Sequence, residues 1–306
     1  MSSIQPGCIL NFRDVAVSTN SGLFPRGRVF RSARLDNAEV NDLKILVFEC
    51  NICTIIDLRT WFEARTVPMI QAVFPRAPLP NTLLDYLDSS FTSASELTRM
   101  LDPISSDTRE SLSIRRSFNI DLMGREYRMK AIWDRASFKM KLLVFLYIIL
   151  FMKRAATTFV SRNIIARTGL LGLYKDLIDF CQPQLLMSMK VILFNAHEPF
   201  LIHCSHGKDR TGVVTALLLS VIGVPRKDII SDYAATSKSY FPIQKHVDAE
   251  FESVGFNRDF ATAREETMDS LLLYIEAKYG SVTNYLEEIG FDQSQQNELR
   301  MKLAVA

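Results

Sequence analysis

The sequence predicts an α/β fold, with a central, mostly parallel sheet flanked by helices. Two short apolar segments, residues 54–58 and 199–203, have the length and composition of buried parallel strands. A polar loop follows the second segment, and residues 213–222 then form a nearly continuous apolar run that is typical of a buried helix. Strand and helix therefore alternate along the chain, which is the pattern of α/β folds with parallel sheets.

The first part of the chain supplies two more elements. Residues 22–31 predict a turn followed by a short strand. Residues 40–49 carry apolar side chains at helical spacing, which predicts a helix. Asp57 and Arg59 lie where the strand at 54–58 ends, so we expect both at the carboxyl edge of the sheet.

Helices are predicted for most of the remaining chain. Residues 80–130 are mixed and favour no single element, and residues 186–194 are ambiguous. The apolar helix at 213–222 ends where Gly223 and Pro225 interrupt it. Further helices are predicted at residues 131–152, 160–181, 243–251, 261–278, 282–289 and 293–303.

Composition indicates one globular domain. Hydrophobic residues make up 48% and charged residues 23%, which is typical of a protein with a sizeable core. No repeat and no linker rich in proline, glycine or serine divides the chain, so we predict a single domain over residues 1–306, with a helical insertion at 85–160. The net charge of +2 predicts no nucleic-acid partner, and any recognition of anions must be local.

The five cysteines predict a reducing setting. A small and odd number does not suggest a disulfide framework, and residues 1–6 lack the pattern of a signal peptide, so we expect a cytoplasmic protein. Cys50 and Cys53 form a C-x-x-C pair, but structural zinc needs four ligands and no second pair exists. We interpret them as small buried side chains, with metal or redox use as the alternative, and predict neither a metal nor a cofactor.

The most apolar segment, residues 142–152, is too short to span a bilayer, which needs about 20 residues. We favour a buried helix. Basic residues flank the segment and suit anionic lipid headgroups, so the alternative is a helix that makes a peripheral contact with a membrane. The flanking residues are Lys139, Lys141, Lys153 and Arg154.

Residues 203–212 form the polar loop between the last strand and the apolar helix, and they read His-Cys-Ser-His-Gly-Lys-Asp-Arg-Thr-Gly. A loop in this position binds anions, because backbone N–H groups point into its concavity and the helix N-terminus adds roughly half a positive charge. Glycines allow the backbone to turn tightly. The residues predicted to contact a bound phosphate are Ser205, His206, Gly207, Lys208 and Thr211.

Cys204 and Arg210 stand six positions apart, which lets the thiol form the floor of a curled loop while the guanidinium closes one side. Arg210 can hold two phosphate oxygens with parallel hydrogen bonds. These positive surroundings favour the thiolate of Cys204, which can attack phosphorus and form a phosphocysteine intermediate. The loop therefore predicts phosphatase chemistry, with both residues catalytic.

Asp209 lies beside Arg210 and is predicted to be the general acid that protonates the leaving oxygen and the base that later activates water. The alternative is a structural ion pair with an arginine. Lys208 is expected to add positive charge at the rim of the loop. Thr211 is expected to donate a hydrogen bond to the cysteine sulfur and help it leave.

Residues 203–212 resemble the catalytic loop of the protein tyrosine phosphatase superfamily, and more closely that of the atypical tyrosine/serine phosphatase family, which reads HCxxGKDRTG. Residues 11–14 and 27–33 are similar to the NFRD and GRxFRSA segments of that family. Residues 56–59, followed by Glu63, are similar to its DLRxxxE segment. The resemblance thus extends over nearly the whole chain.

The resemblance implies the cysteine-phosphatase fold with helical insertions. It also implies that Cys204 is the nucleophile, Arg210 the phosphate clamp and Asp209 the acid. His206 departs from the family pattern, which usually has a small residue there, and is interpreted as either a rim contact or a solvent-exposed side chain. His203 is interpreted as ordering the loop through hydrogen bonds.

The expected substrates are phosphotyrosine proteins, with phosphoserine or phosphothreonine proteins and phosphoinositides as further candidates. Tyr240 and Phe241 are interpreted either as part of a cover over the site or as core residues. Three alternatives remain for the activity. They are a phosphate-binding module without turnover, a rhodanese or arsenate reductase, and a lipid phosphatase that acts at membranes.

Overall fold

A computed structural model describes residues 6–77 and 115–304. Its five strands form one sheet in the order β1-β2-β5-β3-β4. The β1 strand pairs with β2 in antiparallel fashion, and every other neighbouring pair is parallel. The prediction of an α/β fold with a mostly parallel sheet is therefore confirmed. The strands are β1 Arg13–Asp14, β2 Val29–Ser32, β3 Thr54–Asp57, β4 Arg116–Asn119 and β5 Phe200–His203.

The central strand β5 is buried along its whole length, because helices cover both faces of the sheet. Successive residues of the strands contribute to opposite faces. Phe30 and Leu201 belong to the smaller of two apolar clusters, whereas Val29 and Ile202 belong to the larger one. This alternation follows from the two-residue period of a strand. It places the carboxyl end of β5, where the polar loop begins, in the middle of the sheet edge.

The described residues form thirteen α-helices, most of which pack on the larger cluster. Three short segments, Ile45–Glu49, Tyr127–Trp133 and Ser161–Ile165, are π-helical. Phe241–Ile243 and Arg258–Ala261 are 3₁₀ turns. The α-helices are Val15–Thr19, Val40–Lys44, Pro68–Val73, Phe138–Ile149, Lys153–Val160, Ala166–Phe180, Gln182–Asn195, Asp209–Val221, Arg226–Tyr240, Gln244–Ser253, Glu265–Tyr279, Val282–Glu288 and Gln293–Ala304.

Several sequence expectations change at this level. The ambiguous residues 186–194 lie within the helix Gln182–Asn195, which is buried along most of its length. The helix predicted at 131–152 is divided, because the π-helical segment ends at Trp133 and a new helix begins at Phe138. Gly169, with φ of +70°, kinks the helix predicted at 160–181.

The predicted helical insertion at residues 85–160 is wrong where it includes β4. Arg116–Asn119 pairs with β3 and belongs to the central sheet. This strand has only four residues and lies within the mixed segment 80–130, so no clear sequence signal marks it. Residues 85–114 of the predicted insertion lie outside the described residues. The prediction of a single domain over residues 1–306 stays a prediction.

The prediction that residues 142–152 form a buried helix is also wrong. The helix Phe138–Ile149 has no buried residue, and Phe151 beyond its end is 87% exposed. An apolar run becomes buried only where another layer covers it, and the described residues do not enclose this helix. No single helix among them has the length and apolar character needed to span a membrane; Lys153–Phe180 and Gln182–Asn195, bent by 78°, meet these criteria only as a pair.

Candidate active site

The loop from Cys204 to Lys208 joins β5 to the helix Asp209–Val221, and it lies tightly against β2. Gly207 has φ of +63°, and a Cβ atom there would stand 2.1 Å from the carbonyl oxygen of Ser32. Only glycine combines this backbone conformation with so close an approach. The neighbouring strand therefore fixes the curvature of the loop.

The carbonyl groups of His206 and Gly207 accept hydrogen bonds from side chains outside the loop. The Gly207 oxygen accepts hydrogen bonds from Arg31 Nη2 at 2.8 Å and Asn11 Nδ2 at 2.9 Å. The His206 oxygen accepts from Asn11 Nδ2 at 3.2 Å and from the Tyr240 hydroxyl. Because the C=O and N–H of a trans peptide point in opposite directions, the following N–H groups are turned toward the inside of the loop.

Arg31, which holds the Gly207 carbonyl, and Arg13, whose side chain is 12% exposed, share one carboxylate partner. Arg13 Nε lies 3.0 Å from Asp232 Oδ1, and Arg31 Nη1 bonds Asp232 Oδ2. Burial opposes ionisation of Asp232, yet the two guanidinium groups lower its pKa to about 2. Asn11, Arg13 and Arg31 stood within segments similar to the known family, but nothing in the sequence assigned them this role.

Cys204 lies at the end of β5 and is only 2% exposed, which agrees with a position at the floor of the loop. Arg210 begins the following helix and makes two parallel hydrogen bonds to Glu63. They join Nη1 to Oε2 at 2.6 Å and Nη2 to Oε1 at 2.9 Å. The structure thus brings the thiol and the guanidinium to the same loop.

Glu63 lies in the segment that is similar to the DLRxxxE pattern, but no role is predicted for it from the sequence. Besides Arg210, its carboxylate accepts hydrogen bonds from Thr60, at 3.0 Å from the amide nitrogen and 2.6 Å from the hydroxyl, and from Ser205 Oγ at 3.1 Å. Burial opposes ionisation of Glu63, yet Arg210 holds its pKa well below the usual value. Glu63 therefore fixes the plane of the guanidinium. The similarity to the DLRxxxE segment was the one sequence feature that could have indicated this role.

Asp209 borders the loop with its side chain 18% exposed. Its Oδ1 atom accepts a hydrogen bond from the Tyr174 hydroxyl at 2.7 Å and lies 3.2 Å from Lys208 Nζ. The alternative of an ion pair with an arginine is therefore wrong, because the bonded partners are a lysine and a tyrosine. Its role as acid and base stays a prediction.

The expectation that Lys208 places charge at the rim is wrong. The side chain is fully buried, and its ammonium group donates to the carbonyl oxygens of Phe260 at 2.5 Å and Thr262 at 2.9 Å. It also lies over the ring of Phe251, 5.4 Å from the centroid. Burial lowers the pKa of Lys208. A charged residue in a polar loop was assumed to face solvent, whereas this one ties the loop to a distant segment.

The predicted hydrogen bond from Thr211 to the cysteine sulfur is not formed. The Thr211 hydroxyl is buried and has no hydrogen-bond partner among residues 6–77 and 115–304.

The two loop histidines have different surroundings. His203 is buried, its Nδ1 lies 3.4 Å from the Cys204 oxygen, and burial lowers its pKa, in keeping with an ordering role. The side chain of His206 is 22% exposed, and its ring lies 4.6 Å from that of Phe251. His206 Nε2 is 3.4 Å from Glu250. His206 is thus a rim contact.

A cleft of about 880 Å³ opens beside the loop. Ser205, His206, Asp209 and Arg210 form its polar end. Its other walls are largely apolar and come from the helices Phe138–Ile149 and Lys153–Val160 and from the segments around them. The apolar lining includes Phe62, Met129, Trp133, Val144, Ile148 and Val160.

Tyr240 and Phe241, which were predicted either to cover the site or to lie in the core, differ in their exposure to solvent. Tyr240 is 1% exposed and holds the His206 carbonyl from behind the loop, whereas Phe241 is 83% exposed. Tyr240 is therefore a supporting residue rather than a cover.

No cluster of three or more metal-binding side chains occurs in the part of the chain that the structure describes.

Comparison with known proteins agrees with this geometry. Residues 6–305 match the model of a tyrosine phosphatase family. The chain is 34% identical over 125 residues to the triple specificity protein phosphatase PtpB of Mycobacterium tuberculosis, covering 36% of this chain and 45% of that protein. It is 27% identical over 142 residues to a tyrosine-protein phosphatase of Nostoc commune, covering 44% and 48%. Each match spans slightly less than half of the relative's own length.

Proposed function

Because the chain belongs to the tyrosine phosphatase family, we propose that it hydrolyses phosphomonoesters through a phosphocysteine intermediate. One observation supports this most directly. Cys204 is buried at the carboxyl end of the central strand, Arg210 lies close enough to interact with it electrostatically, and the cleft reaches Arg210 and the neighbouring Ser205 and Asp209. We infer that these groups and the N–H groups of the loop form one hollow. Such a hollow suits a tetrahedral dianion, which needs several donors and a positive charge.

The arrangement supports a two-step reaction. The Cys204 thiolate attacks phosphorus while Arg210 holds two equatorial oxygens, and the P–O bond breaks as Asp209 gives its proton to the leaving oxygen. Water then attacks the phosphocysteine, Asp209 takes a proton from that water, and the S–P bond breaks to return the thiolate. Glu63 keeps the guanidinium in place throughout.

Hydrolysis of an aryl phosphate tests the proposal. The wild type should turn over p-nitrophenyl phosphate, and Cys204→Ser should remove all measurable activity. Cys8→Ser is the matched control, because Cys8 lies apart from the loop at the side chain of Asp42, and it should stay active. Binding of phosphopeptide by a wild type without turnover would instead identify a binding module.

We also propose phosphotyrosine proteins as the main substrates, with activity on phosphoserine and phosphothreonine proteins. The depth of the thiol supports phosphotyrosine, because a long aryl phosphate reaches a buried sulfur more easily than a short side chain does. The name of the mycobacterial relative, a triple specificity protein phosphatase, supports a broader range. Rates on the three classes of phosphopeptide would rank them, and no reaction with phosphotyrosine peptide would refute the proposal.

A second candidate, phosphoinositide hydrolysis at a membrane surface, is favoured by one observation. The apolar residues of the helix Phe138–Ile149 are largely exposed, and Lys139, Lys141, Lys153 and Arg154 lie at or near its two ends. An apolar surface with basic neighbours suits an interface with anionic lipids. The same helix lines the cleft through Val144 and Ile148, so substrate and surface would meet there.

Liposome flotation tests this candidate. Vesicles containing anionic lipid should retain the wild type and release the double variant Leu146→Glu, Ile149→Glu, which stays folded because both side chains are about half exposed. Leu273→Glu changes an equally exposed apolar residue elsewhere and should still float with the vesicles. Equal flotation of all three proteins would refute the membrane contact.

We propose in addition that the protein acts in the cytoplasm, where a catalytic thiol stays reduced, and that it needs neither metal nor cofactor. The proposed chemistry uses only side chains and backbone of the chain itself. Activity should therefore be unchanged after treatment with a chelator, and a loss restored by added metal would contradict this. Fractionation of cells that express the tagged protein tests the location.

A further inference from the structure

A line of three hydrogen-bonding groups leads from the site into the core. The Tyr174 hydroxyl lies 2.7 Å from Asp209 Oδ1 and 2.7 Å from the hydroxyl of Tyr233. Both tyrosines are at most 1% exposed, and their rings meet edge to face with centroids 6.1 Å apart. They come from different helices, Ala166–Phe180 and Arg226–Tyr240, so the line depends on tertiary packing.

The direction of these hydrogen bonds follows from counting protons. An ionised carboxylate only accepts, so Tyr174 must donate to Asp209. The Tyr174 oxygen then accepts the proton of Tyr233. Burial and the nearby Asp209 raise the pKa of Tyr174 well above its usual value, and burial does the same for Tyr233. Both hydroxyls therefore remain donors over the working pH range.

These contacts give the two carboxylate oxygens of Asp209 different hydrogen-bond partners. Oδ1 accepts the hydrogen bond from the Tyr174 hydroxyl and lies 3.2 Å from Lys208 Nζ. The hydrogen bonds found among residues 6–77 and 115–304 include none to Oδ2. The side chain borders the cleft beside Arg210. Oδ2 is thus the oxygen that can exchange a proton with a bound substrate.

We propose that Tyr174, supported by Tyr233, is a positioning residue that fixes Asp209 with Oδ2 turned to the reacting oxygen. The inference deepens the proposed function and rests on it. In the first step, the proton on Oδ2 passes to the leaving oxygen as the P–O bond breaks. In the second, Oδ2 takes the proton of the attacking water as the S–P bond breaks. Tyr174 keeps its own proton in both steps.

Other charged or titratable groups also face Asp209, and the experiment must separate Tyr174 from them. They come from its own loop and helix and from the helix that carries Tyr233. These groups are Lys208, Arg210, Tyr233 and Tyr240. Tyr174 alone reaches Asp209 from the helix Ala166–Phe180, so its hydroxyl can be removed without changing a charge.

The test is the dependence of kcat/KM on the leaving group, because kcat/KM reports P–O cleavage even when hydrolysis of the intermediate limits turnover. Tyr174→Phe should lower kcat/KM roughly tenfold for a phosphotyrosine peptide and less than about threefold for p-nitrophenyl phosphate, whose leaving group needs little protonation.

A matched control removes another buried tyrosine hydroxyl. Tyr285 is fully buried and donates to the Ile178 oxygen at 2.8 Å, far from the loop. Tyr285→Phe should lose comparable thermal stability yet keep the leaving-group dependence of the wild type. Tyr233→Phe should show the same change as Tyr174→Phe, but smaller, since it acts through one more hydrogen bond.

A double-mutant cycle completes the test. In an Asp209→Asn background, Tyr174→Phe should cause no further loss on the phosphotyrosine peptide, because the proton it positions is gone. Two results would overturn the inference. One is an unchanged leaving-group dependence in Tyr174→Phe. The other is a loss of kcat/KM in the double variant that equals the full losses of Tyr174→Phe and Asp209→Asn combined. Absence of wild-type turnover would instead overturn the proposed function, so the two failures are distinguishable.

Discussion

At the scale of single residues, the site depends on side chains that touch no substrate. Glu63 sets the plane of the Arg210 guanidinium, and Gly207 allows the loop to lie on β2. Lys208 turns away from the cleft to bind two backbone oxygens. Glu63, Gly207 and Lys208 thus contribute by holding Arg210 and the loop in place.

Removing the charge of Glu63 should lower activity without unfolding the protein. In Glu63→Gln one of the two strong hydrogen bonds to Arg210 is lost, so the guanidinium can rotate away from the phosphate, and we expect kcat/KM for an aryl phosphate to fall about 10- to 100-fold. Glu276→Gln, which weakens an exposed pair with Arg226, is the control and should be fully active. Wild-type kinetics in Glu63→Gln would contradict this role.

Gly207→Ala should prevent the loop from forming. Its Cβ would overlap the Ser32 carbonyl, and neither backbone can move freely, so we expect destabilisation on the order of 3 kcal/mol together with loss of activity. Gly22 also has positive φ, but no atom lies within 4 Å of the added Cβ. Gly22→Ala should therefore cost only about 1 kcal/mol in chemical denaturation. Equal losses for the two variants would show that crowding at Ser32 is unimportant.

At the scale of secondary-structure elements, one buried carboxylate joins three of them. Asp232, on the helix Arg226–Tyr240, binds Arg13 of β1 and Arg31 of β2. Arg31 in turn holds the carbonyl of Gly207. Helix, strands and catalytic loop are therefore locked together by charge-assisted hydrogen bonds, which are among the stronger ones in proteins.

This network should make stability fall in acid. The pKa of Asp232 is about 2 in the folded protein, below its usual value of 3.8, so its stabilisation is present above pH 4 and is lost as the pH falls through about 2. The contribution is on the order of 2 kcal/mol. Urea denaturation from pH 5 to pH 2 would measure it.

Two variants separate this residue from the other carboxylates of the chain. Asp232→Asn should be markedly less stable at neutral pH and should lose part of the acid dependence, because two buried guanidinium groups lose their counter-charge. Asp259→Asn removes an exposed pair with Arg264 and should keep the wild-type profile. An unchanged acid dependence in Asp232→Asn would assign the effect to other groups.

At the scale of the whole molecule, the fold was predictable where the signal is local. Residues 199–212 carry a strand, a loop and a helix start within a short stretch, and the structure forms all three there. The positions of Glu63 and Tyr174 relative to the loop were not predictable. Each meets its partner across a long stretch of chain, and only tertiary packing determines which pairs meet.

The wrong expectations have a common physical cause. Lys208 was placed at the rim because charged side chains usually face water, and residues 142–152 were placed inside because apolar side chains usually avoid it. Both rules are averages, and either fails where a specific partner is present or where a covering layer is missing. Burial is thus a property of the surroundings, which a single sequence does not contain.

Occupation of the hollow should stabilise the entire fold. A phosphate bound as proposed would contact the loop and the first turn of the helix that follows it, and a ligand that binds only the native state raises stability by about 2.7 kcal/mol at 100 times its Kd. Inorganic phosphate should therefore raise Tm by several degrees in the wild type and in Cys204→Ser. Arg210→Ala should show little or no shift, and a full shift in that variant would place the binding site elsewhere.

The hydrogen bond from Asn11 to the Gly207 carbonyl connects positions 196 residues apart in the chain. During synthesis, Asn11 leaves the ribosome long before the loop that it contacts, so this hydrogen bond can form only after Gly207 has emerged. A fragment that begins after Asn11 would lack this donor to the Gly207 carbonyl, even if it retained every residue of the loop itself. The shape of the loop is therefore encoded far from the loop's own sequence.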